Sequence, residues 1–474
     1  MKFPILLFSL LMYFGVSGQD FLNKTIQKDS ALADFQIFKS ALISGHPGLY
    51  WYKTKDEIEK SFNNAESQIN KDISNREFHK ILTSVMNDIS CGHSIVLYPK
   101  TYSSEIIDLQ IFLPFKVSLV EDKLFITETL SDTDVPVGSQ IISINNKSIE
   151  DILNVIESKI PADKGINTKK TRSLDILFSY YYTLFVENSK QFNIKFIDEN
   201  NKTIQKNIDA ISFNKAFMFR SPKEYAASRT PLSYKIEDNI AELKITTFGV
   251  RNYKMNAVNY EDTLAKIFKE LKIKKIDNLI IDLRGNNGGA LGFPELLYSY
   301  LITKDTKFNK FILMNEDIAE GNFKYTELPK FLDMFEQEYG SLSKQNKQYI
   351  IPGDTAKVIE DTYTGNVYFL TDGLSFSATS DFLAMCKENN IGKIIGETPG
   401  GAYVGCNAGS PIFIALPNSD YRLMFYILGI RLDVKDDINS IDVDYKVSSK
   451  IDDLLKKDID IQKEFVIDLI KKSE

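Results

Sequence analysis

The stretch FLTDGLSFSATSDFL, residues 369–383, places five hydroxyl side chains, Thr371, Ser375, Ser377, Thr379 and Ser380, between an apolar run and an amphipathic one. A serine at a helix start sits among free backbone amides and a partial positive charge, which favours the negative charge that develops in acyl transfer. Serine and threonine are also the preferred helix caps, so capping and catalysis are both open on this pattern. A serine nucleophile needs a base. The chain offers three histidines, and a desolvated lysine is the other possibility. His46, in the turn HPGLYWY, reads as structural, and His79, in a helical pattern between Phe78 and Lys80, reads as a surface residue. His93, in ISCGHSIV, follows a helix C-terminus whose dipole stabilises an imidazolium, and is the best placed of the three.

A second segment, NLIIDLRGNNGGA (278–290), drives a buried strand into a loop rich in glycine and asparagine. At the carboxyl end of a strand in a parallel sheet, glycine lets the backbone come close and offers free N–H groups. An oxyanion hole fits this loop, and so does a plain strand-to-helix turn. Neither GxxxxGK[ST] nor GxGxxG is present, so nothing here cradles a nucleotide. Cys91, Cys386 and Cys406 lack metal spacing and are too few for a disulfide framework. They read as buried thiols, with a Cys386–Cys406 bridge left open, and neither metal nor cofactor is expected.

The elements that must position these residues are legible in the periodicity. Three helical patterns come first: one from Ser30 to Gly45, one opening on the capping box Thr54 to Glu57, and one opening on Ser74 to Glu77 and ending near Gly92. Residues 19–109 thus read as a helical domain. Alternating runs such as FKVSLV and FNIKFID make 110–208 a small β-rich module. From 230 to 455 strands and helices alternate, which argues for a parallel sheet covered by helices, with the polar stretch 303–360 as an irregular insertion at its rim. Residues 456–474 read as a C-terminal helix.

At 474 residues the chain exceeds what one core usually supports. Its 57 basic and 64 acidic side chains are interspersed, so no patch recruits nucleic acid or an anionic membrane. The N-terminus MKFPILLFSLLMYFGVSGQD has one lysine, an apolar run and small residues, and is expected to be a signal peptide, residues 1–18, cleaved after Gly18. The run is shorter than the roughly 20 residues of a membrane span. The mature chain is accordingly expected in the periplasm or outside the cell.

NLIIDLRGNNGG, followed about ninety residues later by VYFLTDGLSFSATSDFLAMCKENNIGKIIGETPGG, resembles the core of the C-terminal-processing and tricorn-type serine peptidases. Weaker similarity runs upstream through PVGSQIISINNKSIEDILNVI, which resembles part of a PDZ domain, and through the HP and GHS segments, so that nearly all of the mature chain is covered. The resemblance implies an α/β fold: a ClpP/crotonase-like core, a PDZ-like domain and an N-terminal helical segment. It sets the nucleophile at Ser377, twenty residues before the Glu397 of IIGETPGG. It implies an oxyanion hole from the amides of Ala378 and of Gly288 or Gly289. Where the C-terminal-processing branch carries its lysine base this chain has Ala402, and Lys387 and Lys393 are poorly placed to replace it. The tricorn-like branch takes a histidine from the segment before the PDZ-like module, which here is His93. That branch has a serine before its histidine where this chain has Gly92, so the orienting group is sought among Cys91, Ser94, Asp437 and Asp444. The implied activity is hydrolysis of a peptide or protein substrate through an acyl-enzyme on Ser377. A non-catalytic ligand- or peptide-binding protein on the same scaffold is the alternative, and crotonase-type thioester chemistry a more distant one.

Overall fold

The computed structural model describes residues 18–100, 102, 106, 109–218, 230–435, 439–456 and 459–473. The apolar leader up to residue 17 and Asp437 lie outside them.

After a short helix at Gly18–Asn23, three longer helices follow: α1 (Lys28–Gly45), α2 (Lys55–Ser67) and α3 (Asn75–Ile89). Thr54 and Glu57 close a reciprocal capping box on α2, and Ser74 accepts the Glu77 amide on α3. The chain leaves α3 through Ser90, which turns left-handed at φ 59°. His93 lies in the short turn that follows, before strand β1 (Ile95–Leu97).

A small antiparallel sheet comes next. Strands β2 (Phe115–Val120), β3 (Lys123–Thr129) and β4 (Gln140–Ile144) precede helices α4 (Ile149–Glu157) and α5 (Asn167–Tyr181), then β5 (Gln191–Ile197) and β6 (Thr203–Asp209). Their order is β6-β5-β4-β3-β2, so β2 is an edge. The inward alternation of Phe192, Ile194 and Phe196 buries the sheet face against Ile152, Ile156, Leu174 and Phe178 of the two helices. Arg172 on α5 makes a forked pair with Glu397 at 2.8 and 2.6 Å, which ties this module to the rest of the chain.

The third region holds the parallel sheet that the alternation predicts. It runs β7 (Leu232–Glu237), β8 (Ile240–Ile245), helix α6 (Tyr260–Lys274), β9 (Asn278–Asp282) and helix α7 (Gly292–Ser299). Strands β10 (Asn309–Asn315), β11 (Ser343–Gln345) and β12 (Gln348–Pro352) follow, then β13 (Asn366–Thr371), helix α8 (Ala378–Glu388) and β14 (Lys393–Gly396). Strands β15 (Asn407–Ala415), β16 (Arg422–Leu432) and β17 (Tyr445–Lys446) and helix α9 (Ile461–Ser473) complete it. The sheet order is β7-β8-β9-β13-β14-β17, parallel from β8 onward. Both faces are covered: Leu279, Ile281 and Phe369 point to the core shared with α6, α7 and α8, while Ile280, Tyr368 and Leu370 meet Val466 and Ile470 of α9.

Residues 303–360 are not an irregular insertion. Strands β10, β11 and β12 within them join β15 and β16 in a second sheet, ordered β11-β12-β10-β16-β15, with β1 added alongside β16. One partner of β10, β16, lies over a hundred positions away, and polar loops separate β10 from the other, β12, which obscured the strand in the sequence. This second sheet shares one core with the N-terminal helices, in which Phe35, Phe38, Phe62 and Phe78 pack with Leu423, Phe425 and Ile427. The buried Asp34 carboxylate fastens α1 to the turn between β15 and β16, accepting from the amides of Asn418 and Ser419 and from the Ser419 hydroxyl. The chain is thus a mixed α/β protein in which the N-terminal segment is docked on the C-terminal half.

Candidate active site

Strand β13 ends at Thr371, Asp372 and Gly373 turn the chain, and α8 begins at Ala378. Ser377 stands at that helix start with φ 60° and ψ −131°, a conformation that costs a non-glycine residue about 1–3 kcal/mol. It does not cap the helix. Its Oγ instead lies 2.8 Å from His93 Nε2. The neighbouring hydroxyls have structural partners: Thr371 donates to the Glu397 carbonyl, Ser375 to the Leu283 carbonyl, and Ser380 to the Ser375 carbonyl. Thr379 is fully buried.

His93 reaches Ser377 because β1, directly after it, zips onto β16 with Ile95 opposite Met424. The ring stacks on Phe376 at 4.5 Å between centroids and meets the edge of Tyr426 at 5.4 Å. Burial, and after it the charges of Lys169 and His46, lowers its pKa to about 3. The imidazole is therefore neutral at ordinary pH, the form that can accept a proton.

The glycine loop closes on the serine from the other side. A Cβ on Gly288, which has φ +90°, would lie 2.8 Å from the Phe376 carbonyl oxygen and Ser377 Cβ and 2.9 Å from the Ala378 nitrogen. Buried Asn286 holds the loop: its Nδ2 donates to the Ile245 carbonyl, its Oδ1 accepts the Gly288 amide, and its carbonyl accepts the Phe376 amide. With the Gly288 amide committed to Asn286, Gly289 and Ala378, the first residue of α8, are the amides left for an anion beside Ser377.

These groups open into a cavity of about 640 Å³ whose walls include Ile95, Leu291, Phe376, Met424 and Tyr426. Two charged residues absent from the expected set stand beside it. Lys169, from α5, lies 3.3 Å from the centroid of the Phe376 ring and donates to the Gly92 carbonyl at 3.0 Å; burial lowers its pKa to about 8. Asp163 is buried and accepts the Gly92 amide at 2.6 Å, and burial raises its pKa. Neither was marked by its sequence, because both come from the middle module and meet the site only in three dimensions. Lys169 also accounts for glycine at position 92, where a Cβ would come within 2.6 Å of its Nζ and 2.9 Å of the Phe376 ring.

Two of the expected orienting groups, Ser94 and Asp444, lie elsewhere. Ser94 Oγ sits 2.9 Å from His46 Nε2 and donates to Cys91 Sγ, away from the free nitrogen of His93. Asp444 accepts the Ile394 amide and pairs with Lys387 and Lys393 at the edge of the parallel sheet. Asp437 is outside the described residues. His79 is not a surface residue: it is buried, its Nε2 3.1 Å from the Val96 carbonyl and its Nδ1 3.0 Å from the Tyr98 hydroxyl, and it stacks on Tyr421 and Phe185. Its helix packs on both sides, which a one-sided apolar stripe does not reveal. All three cysteines are free and buried, so Cys386 and Cys406 do not pair. Cys91, His93 and Asp163 each offer one donor atom within 4.8 Å of the others, the one set among the described residues that could hold a metal ion.

Residues 239–408 match the profile of peptidase family S41. No curated protein matches the chain in sequence. Among solved structures the chain is similar to mature CPAF complexed with lactacystin, at 14% identity over 93% of this chain and 97% of that one, with a TM-score of 0.67. It is also similar to mature CPAF, at 14% identity over 93% and 96% of the two chains and a TM-score of 0.63. At that identity the likeness establishes a shared fold over almost the whole of both chains. Residues 239–408, which carry Ser377 and the glycine loop, are thus similar to peptidase family S41, a family of serine peptidases and so of hydrolases.

Proposed function

We propose that the protein is an exported serine peptidase in which Ser377 attacks a peptide carbonyl, His93 takes and returns the proton, and the amides of Gly289 and Ala378 hold the oxyanion. The observation that carries this reading is the 2.8 Å approach of His93 Nε2 to the hydroxyl of a strained, non-capping serine at a helix start. A histidine base in place of a lysine suits the tricorn-like branch on a ClpP/crotonase-like core, with the buried Ala402 where the other branch has its lysine. The apolar leader supports export after cleavage following Gly18.

One experiment addresses both nucleophile and export. The full chain is expressed with its leader, recovered from outside the cytoplasm, treated with a fluorophosphonate probe and weighed intact. The expected result is one adduct on a chain beginning at Gln19, and none on Ser377→Ala. A folded chain that takes up no probe would reject the hydrolase and favour the binding-protein alternative.

The middle module, on this reading, is PDZ-like and takes an extended peptide along the free edge of β2. A groove lined by Val117, Leu174, Phe178 and Phe217 lies between that strand and α5, with the exposed Ile176 on its rim. A fluorescent peptide ending in an apolar residue is expected to bind the Ser377→Ala protein, with binding lost on Ile176→Asp. Equal anisotropy titrations for the two would reject the groove.

A further inference from the structure

His93 Nδ1 and Asp163 Oδ2 are both buried side-chain atoms without a hydrogen-bond partner in the protein. An unpaired polar atom in such a place costs about 1–3 kcal/mol, and two of them on residues of one site ask for a common partner. His93 Nε2 is taken by Ser377, so Nδ1 is the nitrogen left over. Asp163 Oδ1 is held by the Gly92 amide at 2.6 Å, and the Ala402 amide also bonds the carboxylate, so the group is fixed from the backbone on either side of the site. A nitrogen of His93, an oxygen of Asp163 and Cys91 Sγ lie within 4.8 Å of one another. Neither His93 Nδ1 nor Asp163 Oδ2 makes a direct hydrogen bond, and a separation within 4.8 Å is one that a single water, with bonds of about 2.8 Å to each side, can span. The triangle supplies the polar partners a buried water needs.

We propose that Asp163 is a positioning residue for His93, holding the ring N–H at Nδ1 through a single bridging water and so leaving Nε2 bare for the Ser377 proton. The proposal rests on the reading of Ser377 and His93 as nucleophile and base. A divalent metal ion is the rival occupant of the same triangle. The Lys169 ammonium, whose charge acts on both Asp163 and Cys91, opposes it, as does a Cys91 thiol that burial pushes up to about 11. Lys169 at the same time favours an ionised Asp163. When Ser377 Oγ bonds to an acyl carbon or to the phosphorus of a probe, its proton passes to His93 Nε2; a peptide amine then takes that proton as its bond to the carbonyl carbon breaks, whereas the probe loses fluoride as the anion. Asp163 keeps its charge throughout and stabilises the imidazolium through the water.

The test compares the parent with Asp163→Asn, which keeps an acceptor for the Gly92 amide and removes the charge. Fluorophosphonate labelling across probe concentrations separates the maximal rate from the probe affinity. The expected result is a maximal rate lower by about 100-fold, with affinity changed by less than about threefold and the melting temperature retained. A folded variant labelled within about threefold of the parent rate would overturn the proposal. The ring-nitrogen NMR signals of the histidines are the second measurement, and they need no variant: the parent His93 should carry its proton on Nδ1. A proton on Nε2, or one equivalent of metal held by the parent and absent from Asp163→Asn, would overturn the proposal as well. A parent that takes no probe at all would sink the peptidase reading, and the tautomer would then decide the Asp163 contact alone.

Discussion

Replacing His93 by glutamine is expected to slow fluorophosphonate capture at Ser377 by about 10²–10⁴-fold, the usual share of a positioned general base. Glutamine fills much of the same space against Phe376 and Tyr426 and can still meet the serine hydroxyl, but it cannot take the proton. The folded state should therefore survive, which a melting curve checks. The pH dependence gives the expectation a second edge. Burial, Lys169 and His46 hold the His93 pKa down to about 3, so the neutral, proton-accepting form persists as the pH falls through 6.5, where an ordinary histidine would be half protonated. Parent labelling should accordingly stay level between pH 8 and pH 6, by about a factor of two, and decline only toward the depressed value. Labelling of His93→Gln at the parent rate would mean that another group activates the serine, and the buried Lys169 would be the first to examine.

Gly289→Ala is expected to cost about 3 kcal/mol or more of folding stability, measured by urea unfolding, and to abolish probe capture with it. Gly289 has φ +151°, and its added Cβ would fall inside the backbone of Phe248 and Gly249. Those atoms cannot yield, because the Phe248 amide donates to the Gly288 carbonyl and the Ala290 amide donates to the Phe248 carbonyl, a two-bond clasp between the end of β8 and the loop. Gly285 supplies the control. It has φ +73° and open space where a Cβ would go, so Gly285→Ala carries only the left-handed backbone penalty of about 1–2 kcal/mol. Equal effects of the two substitutions would mean that the close approach at Gly289 is not what the loop depends on.

The local grammar of the chain was readable. Capping chemistry at Thr54 and Ser74 marks helix starts, because a side chain three residues from a free amide suffices. The runs NLIID and NVYFLT, apolar on both faces, mark strands of a parallel sheet covered on both sides. The glycines after β9 mark a loop where backbone meets backbone, and the hydroxyl-rich turn before α8 marks a helix start. The resemblance then distinguished one serine among five, which residue chemistry alone had left equal.

What only the tertiary structure decided was non-local. His79 is enclosed because Tyr421, just before β16, stacks on it, and strand β10 exists because β16 and β12 flank it. Neither partner is signalled by periodicity near the residue itself. The same holds at the site. β1 pairs with β16 across more than three hundred positions and carries His93 to Ser377. The middle module delivers Asp163 and Lys169 from a turn and a helix that show no catalytic pattern. The sequence by itself determined which short segments could hold a nucleophile and an anion, because those properties belong to a turn and its neighbouring amides. Which histidine and which charges face that serine depended on how the N-terminal helices, the middle module and the C-terminal half pack on one another, since burial and strand pairing are properties of the assembled cores.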